Sequence, residues 1–365
     1  MAYILNDSTI FGTPLNPFDV YCLSTAKTLF DNDFLSIKWA ISKGLTNRYF
    51  TQEAAANGHL EALKYLHEKG VPWNASACQE AASGGYLDIL KYLHKNGCPW
   101  DCRTTASAAN GHLDCLRYAH EQGCKWNNGT CHSAVKNGHL NCLIYAHEED
   151  CPWDEATCYW AAINGHLNCL IYAHEEDCPW DEATCYWAAT RGHLDCLKYA
   201  HENGCPWDER TCRYAAAGNH LDCLKYAHEN GCPWNWATCS SSAGGGYLDC
   251  LIYAHENGCP WNWATCREAA QYGHLDCLKY AHENGCPWDI LMCAYIAKGG
   301  YLDCLKYAHE NGCPWNWSTC REAAQYGHLD CLIYAIEEGC PYNKDICTHA
   351  KAPEILQYLR SKDIC

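Results

Sequence analysis

Hydrophobic residues recur along most of the chain with a period of 27 residues, and we number each period from its glycine as position +0. Leu at +2, Cys at +4, Leu at +5, Ala at +8 and His at +9 follow helical spacing, whereas Asp or Asn at +3, Lys or Ile at +6 and Glu at +10 fill the more polar side. Gly at +12 tolerates the left-handed conformation of a helix end, and Pro at +14 prevents continuation. The pattern predicts a helix over +2 to +10.

The other half of the period predicts a second helical segment. Asp or Asn at +16 is a natural N-cap, as at Asp154, Asp208 and Asn235, and the segment runs from +17 to about +25 with Cys at +20 and Ala at +23 and +24. A helix pair spans the glycine turn between two periods. The helix that begins at +17 comes before the glycine and is called the first helix. The helix that begins at +2 of the next period comes after the glycine and is called the second helix. Isolated helices need roughly 12–15 residues to be even marginally stable, so these short pairs must stack.

The repeats also predict the domain organisation. No stretch alternates apolar and polar residues in the manner of a strand, so the predicted fold class is all-α, an α-solenoid of stacked helix–turn–helix repeats. No linker interrupts the array, and we predict one domain of about twelve repeats over residues 32–352. Residues 1–31 are predicted to be an N-terminal capping segment, and residues 353–365 a truncated repeat with a C-terminal cap. The repeats begin near residues 32, 58, 85, 111, 138, 165, 192, 219, 246, 273, 300 and 327.

The pattern Ala-Ala-x-x-Gly-His-Leu-Asp-x-Leu-Lys-Tyr…Asn-Gly-Cys-Pro-Trp-Asp resembles the ankyrin repeat over about residues 32 to 360. The resemblance implies a non-catalytic scaffold for protein–protein interaction. Variants rich in Cys and Trp resemble arrays of giant DNA viruses of amoebae and of some microbial eukaryotes. A viral or microbial factor that engages host proteins in the host cytoplasm is therefore what the resemblance implies.

The repeats are shorter than those of the family, which are about 33 residues long. The six missing residues fall between +16 and +19, where the family forms its β-hairpin finger, so we predict ankyrin-like repeats that lack this finger. We hypothesise that the recurring Trp at +15 covers the edge that the finger once shielded. This column comprises Trp73, Trp100, Trp126, Trp153, Trp180, Trp207, Trp234, Trp261, Trp288 and Trp315.

The net charge limits the classes of partner that we expect the protein to bind. The net charge of −17 opposes nucleic acids and anionic membranes, so we expect neither of them and favour a basic protein surface. No run of 18 apolar residues occurs, and the first residues do not predict a signal peptide. We therefore expect a reducing, cytoplasmic setting in which the 32 cysteines form no disulfide framework. Cys22, Cys102 and Cys365 lie outside the repeated columns and are expected to be more exposed.

Four potential metal ligands recur in each repeat, as in Cys196, His201, Cys205 and Cys212. Cys196 and His201 are five residues apart on one helix, so they point about 140° away from each other and cannot chelate one ion. Other copies place apolar residues in these columns, namely Ala62, Ile89, Val71 and Ile336. We interpret the columns as core and predict no metal and no cofactor. A metal-binding or redox-responsive Cys/His array stays open as an alternative, as does a pH switch at the +9 histidines.

No unique catalytic constellation is present, because the sequence has no Gly-x-Ser-x-Gly motif, no phosphate loop, and acidic residues that repeat in every copy. We predict no enzyme. The segment that begins at Leu15 is too short for an F-box, so a ubiquitin-ligase substrate adaptor is a secondary alternative, and a virion structural component is another.

Partner contacts are predicted on the first helices, whose columns +17, +18, +21, +22, +25 and +26 vary among the copies. In the family that the chain resembles, this row lines the concave groove, and Trp, Tyr and Arg are enriched at binding hot spots. The alternative is neutral variation, with the aromatic rings tucked between repeats. We expect a monomer that binds one protein partner through this row. The candidate groove residues are Glu155, Tyr159, Trp160, Ile163, Tyr186, Trp187, Arg210, Arg213, Tyr214, Trp236, Trp263, Arg267, Glu268, Tyr295, Trp317, Arg321 and Glu322.

Overall fold

The structure, a computed structural model, describes residues 47–365 and, before them, Ile37, Lys38, Ile41 and Ser42. The predicted capping segment 1–31 and Cys22 lie outside the described residues. Within the described part the chain forms 24 helices and no strand, so the predicted all-α repeat fold without a finger is confirmed.

The helices alternate along the chain as first and second members of twelve pairs. The first helices are α1 (Arg48–Ala56), α3 (Ala75–Ser83), α5 (Cys102–Ala108), α7 (Asn128–Lys136), α9 (Glu155–Ile163), α11 (Glu182–Arg191), α13 (Glu209–Ala217), α15 (Trp236–Gly245), α17 (Trp263–Gln271), α19 (Met292–Gly299), α21 (Trp317–Tyr326) and α23 (Ile346–His349). The second helices are α2 (Leu60–Glu68), α4 (Leu87–Lys95), α6 (Leu113–Glu121), α8 (Leu140–Glu148), α10 (Leu167–Glu175), α12 (Leu194–Glu202), α14 (Leu221–Glu229), α16 (Leu248–Glu256), α18 (Leu275–Glu283), α20 (Leu302–Glu310), α22 (Leu329–Glu337) and α24 (Pro353–Ser361).

The helices divide into two compact units. One holds the described residues up to Ala161 together with His166–Pro179, and the other holds Ala162–Gly165 and Trp180–Cys365. Within each unit, first helices pack against the first helices of neighbouring repeats more closely than second helices pack against one another. The small buried side chains at +20, +23 and +24 explain this close approach, because they leave little bulk between adjacent first helices.

Local signals end and begin the helices as the sequence predicts. The Asp208 side chain accepts a hydrogen bond from the backbone N–H of Arg210 at 2.9 Å and so caps α13. Gly204, after α12, adopts a φ of 84°. Asp150 and Asp177 stand in the same +12 column with φ of 60° and 59°, and they bring a side chain into the left-handed region that glycine favours.

Glycine at +0 is required by a neighbouring ring as well as by its backbone. Gly165 has a φ of 73°, and a Cβ there would lie 2.5 Å from Nδ1 of His193, the +1 residue of the next repeat. The +1 histidine therefore packs over the preceding turn. Asn219 occupies one +0 position with a φ of 62°.

Each repeat contributes the same buried layer. In α14, Cys223, Leu224 and Ala227 are buried, and Cys212 of α13 and Cys232 of the following turn are buried beside them. Leucine at +5, alanine at +8 and cysteine at +4, +13 and +20 thus form the core as predicted, with cysteine acting as a small hydrophobe.

The C-terminal end contains a bond that the sequence analysis did not predict, a disulfide between Cys347 and Cys365. Elsewhere the +20 thiol lies beside the +13 cysteine of the next repeat. In the last, truncated repeat Ile364 takes that +13 place, and its backbone N–H donates to the Leu359 carbonyl as the +13 cysteines do. The Cys347 thiol therefore has no cysteine partner at +13, and Cys365, one residue later, bonds to it instead. Cys365 is exposed, as expected, but it is bonded to Cys347 and is not a free thiol.

No helix among the described residues is both long enough and apolar enough to cross a membrane.

Candidate protein-binding surface

All seventeen predicted groove residues lie on first helices, from α9 to α21, and none of them is buried. Glu155, Arg213, Trp236, Trp263 and Trp317 are exposed, and the others are half-buried. The columns between them, at +20, +23 and +24, are fully buried. The first helices therefore present one face to the core and leave these candidate residues on the opposite, accessible face.

An aromatic cluster occupies this face at α11 and α13. The ring of Tyr186 lies 5.3 Å from that of Trp187 and 5.6 Å from that of Tyr214, measured between centroids. The Arg210 guanidinium lies over the Tyr186 ring at 4.8 Å and also contacts the carboxylates of Asp208 and Glu182 at 2.8 Å. These rings are held in place by their neighbours before any partner arrives, which reduces the entropy lost on binding.

Two repeats carry the same stack of tryptophan, arginine and glutamate. The Arg267 guanidinium lies 4.6 Å above the Trp263 ring and contacts Glu268 at 3.0 Å, between N and O. Arg321 makes the same contacts with Trp317 at 4.6 Å and with Glu322 at 2.8 Å. Each arginine therefore holds one face of an exposed indole and leaves the other face available.

A recess of about 240 Å³ opens between α19 and α21. It exists because Ala294 stands at +21, where the neighbouring repeats place Arg267 and Arg321. Tyr295 and Lys298 line one side of the recess, and Arg321 lines the other. A recess of this size accommodates one large side chain of a partner.

The second helices and the turns after them carry a repeating set of three rings, of which the tyrosine ring was not predicted from the sequence. His201 stacks on Trp207 with ring centroids 3.8 Å apart, and its Nδ1 shares a 3.0 Å hydrogen bond with the Tyr226 hydroxyl of the next repeat. The edge of Tyr226 also meets Trp207 at 6.4 Å. The same hydrogen bond joins His228 to Tyr253, so the partner of the histidine in these repeats is the tyrosine at +7 of the next repeat. Tyrosine recurs at +7 in every complete copy, and this recurrence is the sequence feature that indicates a structural role for it.

The tryptophan column is half-buried and not fully buried. One face of each indole is covered by its own histidine, as in the Trp207 stack, and its edge is covered by the tyrosine of the next repeat. Truncating one of these tryptophans to alanine is therefore expected to cost less than the roughly 3–5 kcal/mol of a fully buried tryptophan.

The cysteines at +4 and +20 favour the neutral thiol, whereas a hydrogen bond with the +20 thiol lowers the pKa of the +13 cysteines Cys151, Cys259, Cys286 and Cys340. Burial raises the pKa of Cys223 to about 12, and Asp222 adds to this effect. The Cys212 thiol is hydrogen-bonded to Cys232, and this bond together with burial raises its pKa. Thiolates are the forms that bind metals and attack electrophiles, so the sites at +4 and +20 disfavour both reactions near neutral pH. In the part of the chain that the structure describes, no three His, Cys, Asp or Glu side chains converge as a metal-binding group.

The fold and this surface together define a helical-repeat protein with an accessible row of aromatic and charged side chains. The sequence model of the family described as ankyrin repeats (many copies) matches residues 52–94 and 185–228. The resemblance to ankyrin repeats seen in the sequence is thereby confirmed over these two segments.

Solved structures of helical-repeat proteins are similar to the chain. The human ASB11 ankyrin repeat domain is 22% identical with a TM-score of 0.38, over 43% of this chain and 84% of that one. The pentatricopeptide repeat protein PPR10, in complex with an 18-nt psaJ RNA element, is 12% identical with a TM-score of 0.43. That alignment covers 94% of this chain and 63% of that one. No curated protein matches the chain.

Proposed function

We propose that the protein is a non-catalytic scaffold that binds another protein through the row of first helices. The observation that carries the proposal is the contrast within these helices. Their +20, +23 and +24 columns are buried and nearly invariant among the copies, whereas the accessible columns change from copy to copy and are rich in Trp, Tyr and Arg. The scaffold does not require those residues, and they belong to the types enriched at binding hot spots.

The charge distribution supports a protein partner with some basic surface. The exposed acidic residues recur on the second helices, at +3 and +10, as in Asp222 and Glu229 of α14. They favour fast association with basic proteins and oppose nucleic acids and anionic membranes. A cytoplasmic location, possession by a virus or microbe that acts on a host, and a monomeric state are further parts of this proposal, and they rest on the resemblance and on composition alone.

The first experiment identifies the partner by affinity capture and mass spectrometry and then measures its affinity for a variant that combines Trp187→Ala with Tyr214→Ala. We expect binding that is weaker by roughly tenfold or more, because two rings of the accessible cluster are removed. Circular dichroism should show unchanged helicity, since neither ring is buried.

The matched control is Tyr342→Ala, which removes an exposed aromatic residue that lies outside the first-helix row. Its affinity for the partner should equal that of the unchanged protein. Undiminished binding by the Trp187/Tyr214 variant would place the interface elsewhere, and loss of helicity together with binding would assign these rings to the core.

The alternative functions, a thiol array and an adaptor or virion component, have less support among the described residues. The thiol array alternative has paired cysteines but no converging ligand set among the described residues, and nearly all of its free thiols are buried. No described feature favours a ubiquitin-ligase adaptor or a virion component over a general binding scaffold.

A further inference from the structure

Four consecutive repeats of the second unit expose a large apolar side chain at +17. Trp236, Trp263 and Trp317 are the first residues of α15, α17 and α21, and Ile290 precedes α19. Their exposed fractions are 47%, 44% and 39% for the tryptophans and 70% for the isoleucine. We call these four residues the apolar ladder.

Fold stability does not account for the apolar ladder. Earlier copies have Glu155, Glu182 and Glu209 at +17, where a carboxylate complements the positive end of the helix dipole. The tryptophans replace this favourable interaction and place apolar surface in water, and both changes disfavour the isolated protein. A row of exposed apolar side chains of this kind marks an interaction site.

Most polar groups around the ladder are already occupied, the exceptions being Lys298 and the buried Nε atoms of Arg267 and Arg321, which have no hydrogen-bond partner. The side chains of Asn235, Asn262 and Asn316 accept hydrogen bonds from the helices that they cap. Arg267 and Arg321 are held by the adjacent glutamates. An extended peptide would find few partners here for its backbone N–H and C=O groups, whereas an α-helix satisfies those groups internally.

The spacing also suits a helix. Adjacent packed helices lie about 8–10 Å apart, so the four ladder residues span roughly 30 Å. A partner helix rises about 10.5 Å per seven residues and spans about 30 Å in 20 residues. Apolar residues at heptad spacing would therefore meet successive steps of the ladder, and one of them would enter the recess beside Ala294.

Charge defines the remaining feature of the occupant. The ladder's helices α15, α17, α19 and α21 contain three cationic and two acidic residues, whereas the second helices α16, α18, α20 and α22 contain eight acidic residues and two lysines. Lys298 is exposed at the edge of the recess, contacts the Tyr326 ring at 5.1 Å, and has no carboxylate partner among the described residues. An acidic residue of the partner would complement this cation.

We propose, resting on the scaffold function above, that the apolar ladder docks an amphipathic helix of a partner protein. This helix has a heptad-spaced apolar stripe of about 20 residues and an acidic residue beside the stripe that pairs with Lys298.

A displayed library of random peptides about 24 residues long, selected on the full chain, tests the proposal. We expect the selected peptides to be helical when bound, with apolar residues at i and i+7 and an acidic residue beside them. A variant that combines Trp236→Glu, Trp263→Glu and Trp317→Glu should bind them roughly tenfold or more weakly. It should still fold, because Glu occupies the same position in three other repeats.

Lys298→Glu provides a second measurement that does not alter the ladder itself. It should weaken binding several-fold, and exchange of the peptide's acidic residue for lysine should restore the affinity. The control Tyr342→Glu, at an exposed aromatic residue off the ladder, should bind like the unchanged protein.

Selected peptides that are extended, that bind the ladder variant undiminished, or that fail to appear at all would overturn the proposal. Peptides that lose affinity for the Trp187/Tyr214 variant but not for the ladder variant would overturn it while leaving the scaffold function intact. Loss of the natural partner only in the ladder variant would support the ladder and place the natural partner there rather than on the Trp187/Tyr214 cluster.

Discussion

Cysteine at +4 of the second helix is a residue whose ionisation the fold suppresses. Burial raises the pKa of both Cys223 and Cys277 from an ordinary value of 9.0 to about 12, with Asp222 and Asp276 adding to the effect. A thiolate in this layer would be a largely buried charge beside an aspartate, and both effects disfavour it. The folded protein therefore keeps its protons over a pH range in which the unfolded chain releases them.

We predict that the free energy of unfolding falls steeply above about pH 9. Each +4 thiol with a raised pKa stabilises the fold fully below its unfolded pKa, and this contribution is lost as the pH rises through the folded pKa, which is about 12 for Cys223 and Cys277. Between the two values the loss is about 1.4 kcal/mol per pH unit for each thiol. Urea unfolding at intervals from about pH 7 to about pH 10.5, under reducing conditions, measures the slope.

Cys223→Ala combined with Cys277→Ala is the matched variant, because Ala62 occupies the same column in another repeat. Removing two thiols should make the slope shallower by about 1.4 kcal/mol per pH unit for each. If the free energy of unfolding falls with pH as steeply in the variant as in the unchanged protein, groups other than these two thiols limit the alkaline stability.

Sequence periodicity is sufficient to predict which residues are buried, because burial at +4, +13 and +20 follows from helical spacing alone. It does not predict which thiols lie together. Cys212 contacts Cys232 from a separation of 20 residues, and that proximity depends on the turn and on the stacking of the next repeat. The disulfide of Cys347 with Cys365 is missed for the same reason, since it requires knowing that Ile364 takes the +13 place.

At the scale of the helix pair, the unit of cohesion is a set of three rings from two repeats. A histidine and a tryptophan stack within one repeat, and the tyrosine of the next repeat contacts both. The contact between repeats is thus partly aromatic and partly a hydrogen bond. The +7 tyrosine is half-buried, so the hydrophobic pattern alone assigns it no specific role.

We predict that His201 and Trp207 are energetically coupled. Trp207→Ala should cost less than the roughly 3–5 kcal/mol of a fully buried tryptophan, because the indole is half-buried. A double-mutant cycle with His201→Ala should give a coupling of about 0.5–1.5 kcal/mol, as expected for stacked rings. Urea unfolding of the four proteins measures it, and a coupling near zero would mean that the observed stack contributes no stability.

The last complete repeat provides a natural comparison, because both members of the pair differ there. Ile336 stands at the histidine position and Tyr342 at the tryptophan position, and the hydroxyl of Tyr358, in the tyrosine column, has no hydrogen-bond partner. Ile336→His together with Tyr342→Trp should therefore stabilise this repeat, whereas either change alone should give less than half of the gain.

At the scale of the whole molecule, the same repetition that makes the fold predictable hides the site. Copies that agree reveal the core, so the helices and their ends could be derived from the sequence. The proposed binding surface consists of the positions at which the copies disagree, and disagreement alone does not separate selection from drift. The exposure of Trp236 and the recess beside Ala294 support the proposal, and both depend on neighbours that only the structure shows.

Stability should also be local, because each repeat of such an array contacts only its neighbours. The Cys347–Cys365 disulfide closes a segment with a sequence separation of 18 residues around α24, where Ile355 and Leu359 are buried. Constraining a loop of this length stabilises the folded end by about 3 kcal/mol in the chain-entropy model. We predict that Cys365→Ser accelerates amide hydrogen exchange in α24 and leaves α15 unchanged.

Hydrogen exchange detected by mass spectrometry measures both helices in one experiment, with Cys102→Ser as the control because Cys102 has no disulfide partner. Reduction of the unchanged protein should reproduce the exchange pattern of Cys365→Ser, since both remove the same bond. Faster exchange spread evenly from α15 to α24 would contradict local stability, because the loss would then have propagated across four repeats. Protection that is unchanged in α24 would instead show that the buried Ile355 and Leu359 hold the terminal helix without the disulfide.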